Sequence, residues 1–136
     1  MNIDNLDDMP AVENELNIEL RENEKIVFSS NFPSSICNRK GQLLAGIKNK
    51  IILTNYRLIL YTGAGFFIFD LKEDIQDCVE VERKFIIKIG YYYLVTLKNP
   101  VEYEEIGGKK RSLDAVRLEF NNPDRAKFTN LMGLAK

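Results

Sequence analysis

No histidine and no tryptophan occur in the 136 residues, and cysteine occurs only twice. Without histidine there is no Ser-His-Asp or Cys-His nucleophile pair, no His-ligated zinc and no imidazole base near neutral pH. Cys37 and Cys78 form no Cys-x-x-Cys pair. That is too few for a disulfide scaffold and the wrong spacing for a structural zinc site, so two reduced thiols are expected. The charge-free stretch Leu58 to Phe69 is broken by Gly63 and Gly65. It falls well short of the ~20 residues of a membrane span. The first ten residues are acidic, with no apolar run after them, and do not read as a signal peptide. A cytoplasmic chain is the expectation.

Charge of one sign is also missing locally. The net charge is −1, so no global field favours nucleic acid. Residues 1–28 nevertheless hold eight acids and two bases, residues 29–69 hold five bases and no acid, and residues 70–136 hold twelve of each.

The chain is long enough for one domain with its own core. Residues 1–9 are polar and are expected to fray. Val12, Leu16 and Leu20 recur every four residues, which predicts a short amphipathic helix over 10–20 with Asp7 or Asp8 near its cap. Residues 1–20 thus read as an acidic tail and helix, and 21–136 as the main domain. Strands are expected at Ile26–Phe28, within Gln42–Thr54, at Arg57–Tyr61, Phe66–Phe69, Cys78–Ile87, Tyr92–Lys98 and Leu113–Phe120. Asn31–Gln42 and Pro100–Arg111 read as loops, and Lys88-Ile89-Gly90 as a turn. Asn122-Pro123-Asp124 starts a C-terminal helix with Asn122 as its cap, and Ala126, Phe128, Leu131, Met132 and Ala135 form its apolar stripe.

Four segments carry a family resemblance. Gly46 to Tyr61, with Leu53-Thr54-Asn55-Tyr56-Arg57-Leu58 at its centre, resembles the L-T-N-x-R-L hairpin of GRAM and bacterial pleckstrin-homology-like domains. Phe69 to Ile75 followed by Cys78 to Glu82 resembles their step from strand four to strand five. Leu20 to Phe28 is similar to their L-x-x-G-E-K-I opening, with Asn23 in place of the glycine, and Asp124 to Phe128 is similar to the start of their capping helix. The resemblance covers residues 20–134. It implies a mainly β fold: a split barrel of about seven antiparallel strands with a C-terminal capping helix, to which the short N-terminal helix is an accessory. Phe128 would stand in for the tryptophan that eukaryotic members carry in that helix. The resemblance also implies a bacterial origin and a non-enzymatic binding role.

In pleckstrin-homology domains that bind phosphoinositides, basic residues around the strand 1–2 loop hold the head group. The corresponding anion or lipid candidates here are Lys25, Arg39, Lys40, Lys48 and Lys50. The family's strict Lys-x(n)-Arg-x-Arg pattern is absent. A secondary basic cluster, Lys109-Lys110-Arg111, follows Gly107-Gly108 and is offset by Glu104 and Glu105. Arg39 and Lys40 are expected to lower the pKa of Cys37. Tyr91-Tyr92-Tyr93 cannot all face one way on a strand, and they read as barrel wall rather than as a platform for nucleic acid. Asp70, Glu73, Asp74 and Asp77 lack the register of a calcium loop. No metal, cofactor or catalytic set is expected.

The expected function is protein–protein interaction or self-assembly, with self-association or a protein partner. The alternative is peripheral binding of anionic lipid, which would place the chain at the inner membrane surface. The acidic first 28 residues could mask the basic surface.

Overall fold

The computed structural model describes residues 1–31, 34–39, 43–47, 50–63, 65–84, 89–104 and 107–134, with backbone alone for 43–47, 83, 84 and 89. Among them are nine strands: β1 (Ile26–Ser30), β2 (Ser34–Cys37), β3 (Leu43–Ile47), β4 (Lys50–Thr54), β5 (Arg57–Tyr61), β6 (Phe66–Asp70), β7 (Ile75–Lys84), β8 (Ile89–Glu104) and β9 (Lys110–Leu118). The α-helix among the described residues, α1 (Asn122–Leu131), follows them.

The strands form two antiparallel sheets, ordered β1-β4-β5-β6 and β3-β2-β9-β8-β7. They do not close into one barrel. The excess over seven strands arises from β2, which forms where a loop was expected, and from the expected Gln42–Thr54 strand, which divides into β3 and β4. β1 pairs with β4 in one sheet and β2 with β3 in the other, so chain segments 26–37 and 43–54 each serve both sheets. β2 occupies part of the expected Asn31–Gln42 loop and pairs with β9 as well. At the opposite corner, β6 and β7 are the outer strands of their sheets, joined by the turn at residues 71–74.

The core between the sheets includes Phe28, Ile51, Leu53, Leu58, Leu60, Phe69, Tyr93, Val95, Leu97, Val116 and Leu118, all buried. Period-two alternation explains most of these positions. α1 adds Phe128 and Met132 to this core, with the Phe128 ring centroid 5.0 Å from both Tyr93 and Phe120. Its N-cap is Asn121, one residue before the expected Asn122. The Asn121 side chain accepts the Asp124 N–H at 2.9 Å, and this places Pro123 in the first turn, where a missing N–H is harmless.

The N-terminal segment departs most from expectation. No helix forms over 10–20. Instead a short 3-10 helix spans Asp4–Asp8, in the part expected to fray, and its Leu6 is completely buried in the main core. Leu16, Ile18 and Leu20 pack at spacing two against Ile26, Ile52 and Ile59 on the outer face of the first sheet. Two asparagines explain the loss of helix. The Asn14 side chain both accepts from Ile18 N–H and donates to Ile18 C=O at 2.9 Å, competing with main-chain pairing, and Asn17 adopts a left-handed φ of 52°. The N-terminus is tied to the helix end, where the Asn2 N–H donates to Met132 C=O at 2.8 Å. Gly133, which follows with φ 63°, has no room for a side chain: an added Cβ would lie 2.6 Å from that of Asn2.

Two other boundaries also move. β7 begins at Ile75, before the expected Cys78. The expected Pro100–Arg111 loop is largely strand, because β8 continues through Pro100 to Glu104 and pairs Val101, Glu102, Tyr103 and Glu104 with β9. A bulge accommodates the proline: Leu97 to Pro100 stand opposite Asp114 alone, between the Thr96–Ala115 and Val101–Leu113 pairs.

Candidate functional site

Two of the four segments that carry the resemblance meet in a buried ion pair. Arg57, at the start of β5, donates through Nε to Glu24 Oε2 at 2.8 Å and through Nη2 to Glu24 Oε1 at 2.7 Å. Thr54 Oγ1 donates to Glu24 Oε2 at 2.6 Å and accepts the Arg57 N–H at 2.7 Å. The Arg21 N–H reaches Glu24 Oε1 at 2.9 Å, and Arg57 Nη2 also donates to the Glu19 carbonyl. Burial would raise the Glu24 pKa, but hydrogen bonds from Arg57, Thr54 and Arg21 outweigh it and hold the carboxyl below its ordinary value. Next to this pair, the Asn55 side chain accepts the Lys25 N–H and donates to Asp7 and Asn23. The L-T-N-x-R-L segment therefore fastens the N-terminal segment to the β4–β5 turn.

The proposed basic residues do not share one location. Lys25 precedes β1 at the Thr54 end of β4, while Lys50 begins β4, about 13 Å away along the strand. Lys25 Nζ donates to the Asp7 carbonyl at 2.5 Å. Lys50 is paired with Glu15, and its side chain is only 12% exposed. Arg39 follows β2 in the other sheet, where it donates to Gln76 at 2.8 Å and to the Leu97 carbonyl, with Asp114 3.6 Å away. Lys40 and Lys48 lie outside the described residues. Lys109, Lys110 and Arg111 are exposed, and Lys110 stands opposite Glu104 in the β8–β9 ladder.

Cys37 is buried in β2 rather than exposed in a loop. Burial, together with Asp114, pushes its thiol up to about 11 against the opposing effect of Arg117, which reverses the expected direction. Cys78 is pushed up to about 12 by burial and Asp77. Tyr93 is buried in the core between the two sheets. Tyr91 is exposed beneath Arg125, and Tyr92 lies beneath Arg117. Asp70 and Asp74 accept backbone N–H groups of their own turn. No group of three His, Cys, Asp or Glu among the described residues could hold a metal ion, and no helix is long and apolar enough to cross a membrane.

The surfaces left uncovered are at the sheet edges. On β6, Phe66 and Ile68 are 44% and 46% exposed, at spacing two on the outer face. Beside them a cavity of about 510 Å³ is lined by residues of the Leu16–Arg21 segment, Arg57, Ile59, Phe66 and Ile68. The edge carries neither charge nor proline from Phe66 to Phe69. On β1, the opposite edge of this sheet, the Val12 N–H bonds to Ile26 C=O at 2.8 Å. On β7, by contrast, Gln76, Asp77, Glu80 and Glu82 are exposed. The sequence marks Phe66–Phe69 as a strand; its role as a surface is not among the expectations above, and its freedom from charge is the signal that points to it. Comparison of the chain with protein-family models, with curated proteins and with solved structures finds no match.

Proposed function

We propose that this chain is a pleckstrin-homology-like interaction module that assembles with copies of itself through the β6 edge. The strand order supports the PH-like part: of the four short N-terminal strands, β1 and β4 lie in one sheet and β2 and β3 in the other, and a C-terminal helix packs on the core. The assembly part is carried by one observation, an outer strand with Phe66 and Ile68 exposed, free of charge and proline from Phe66 to Phe69 and covered by no further strand among the described residues. Monomeric sheet proteins blunt such edges with lysine, proline, bulges or a covering segment. β6 pairs with β5 in continuous register, without a bulge.

A second copy fits this edge. Two β6 strands related by a two-fold axis at Ile68 pair antiparallel, with Ile68 facing Ile68 and the apolar Phe66 side chains on the same face. The apolar cavity beside Leu16–Arg21 adjoins this seam. Peripheral lipid binding through Lys25, Arg39, Lys40, Lys48 and Lys50 is the weaker reading. Its three described members are apart, and Lys50 is already paired with Glu15.

Amide hydrogen exchange tests the edge directly. Strand pairing makes protection across Phe66–Asp70 rise with protein concentration while β5 stays constant. Exchange in β6 that is the same at every concentration contradicts the assignment.

A further inference from the structure

A second and chemically different edge lies on the other sheet. A groove of about 960 Å³ runs between β7 and α1. One wall is Asp77 to Glu80 with Glu82, and the other is α1, chiefly through Arg125, Ala126 and Thr129. No strand pairs with β7 on this side among the described residues. Alternate residues of such a strand therefore turn both N–H and C=O outwards.

The groove is fixed in shape and acidic. Arg125 donates to both Glu80 oxygens, at 2.8 and 3.2 Å, and its guanidinium carbon lies 3.8 Å from the centre of the Tyr91 ring. The Tyr93 hydroxyl bonds Glu80 and Thr129 across the junction of sheet and helix. With Glu80 matched by Arg125, the carboxylates of Asp77 and Glu82 form no ion pair among the described side chains: Asp77 accepts only the adjacent Cys78 N–H. The Met1 amino group is the other charge at the groove. Self-pairing of β7 would bring two sets of these acids together, which disfavours a second copy.

We infer that the β7–α1 groove takes an extended basic segment of another protein, added to β7 as a strand. Its main chain pairs with the β7 edge, and basic side chains meet Asp77 on one face of the strand and Glu82 on the other. Odd and even residues of a strand face opposite ways, so those two bases stand five positions apart in the partner. Main-chain pairing supplies affinity and the charges supply selection. The inference is independent of assembly at β6.

The probe is a labelled nine-residue peptide of threonine and valine, with lysine at its second and seventh positions, followed by fluorescence anisotropy. Binding should exceed that of the same peptide with glutamate for lysine. The Asp77→Asn/Glu82→Lys variant, in which asparagine keeps the bond to Cys78, should weaken binding at least about tenfold. Methylation of one alternate set of peptide amides should abolish it. Circular dichroism establishes that the variant is folded, and Ile68→Lys should bind the peptide like wild type. No binding of the lysine peptide, equal binding of the glutamate peptide, unchanged affinity in the folded double variant, or tolerance of both methylation sets overturns the inference.

Discussion

Glu24 shows at the scale of one residue how a short sequence motif becomes a fold constraint. Its carboxylate accepts from Arg57, Thr54 and the Arg21 backbone, and its side chain is fully buried. Removing one partner leaves a buried charge without compensation, at a cost of about 3–5 kcal/mol. Arg57→Met should therefore lower the denaturation midpoint steeply. The pH dependence has a definite sign. Because the folded carboxyl titrates below its ordinary 4.5, its contribution is fully present above that value and is lost as pH falls through the lower folded value. Glu24→Gln should flatten that part of the acid unfolding curve; an unchanged slope refutes the linkage. The cysteines give a second test at this scale. With both thiols buried and titrating at about 11 and about 12, native protein at pH 8 should resist iodoacetamide and react fully only when unfolded. Rapid labelling of the native protein would contradict that burial.

Among the elements, the segment 1–20 separates what was legible in the sequence from what was not. Val12, Leu16 and Leu20 fit a helix, while Leu16, Ile18 and Leu20 fit an extended chain, and the same residues supply both patterns. Only the tertiary surface decides: Ile26, Ile52 and Ile59 offer an apolar face, and Asn14 and Asn17 favour leaving the helix. Leu6 was illegible for another reason. One leucine among acids has no periodicity, so its place in the core depends on the opening between the sheets and α1. Leu6→Ala should cost about 2–5 kcal/mol, measured by urea denaturation; a loss within experimental error would return the segment to a frayed tail. Deleting residues 1–19 is consequently no clean way to unmask Lys50, since it removes Leu6 together with Glu15. α1 was readable because Pro123, Asp124 and the Phe128 stripe are local signals. The Pro100 bulge was hidden because a proline in isolation looks like a strand end, whereas the ladder resumes at Val101.

Taken whole, the molecule is two sheets joined along one corner by continuous chain and open along the other, where β6 and β7 present unlike edges. The acid-free stretch 29–69 looked in the sequence like a basic surface. The fold distributes its described bases instead: Lys50 to Glu15, Arg57 to Glu24, and Arg39 to the far sheet near Asp114. These partners are distant in sequence, so pairing them needed the fold. Among the described residues of the stretch, the large apolar side chains left exposed are Phe66 and Ile68 on β6, and this edge bears the proposed assembly. Light scattering of the wild type and of Ile68→Lys, across a concentration series, tests it most directly. Ile68 is exposed, so lysine there should leave the thermal unfolding transition nearly unchanged while placing like charges across the seam. The wild type should approach at least twice the 15.7 kDa of one chain, and the folded variant should stay at one chain. A wild type that remains at the mass of one chain throughout, or a folded variant that assembles equally well, would contradict assembly through β6.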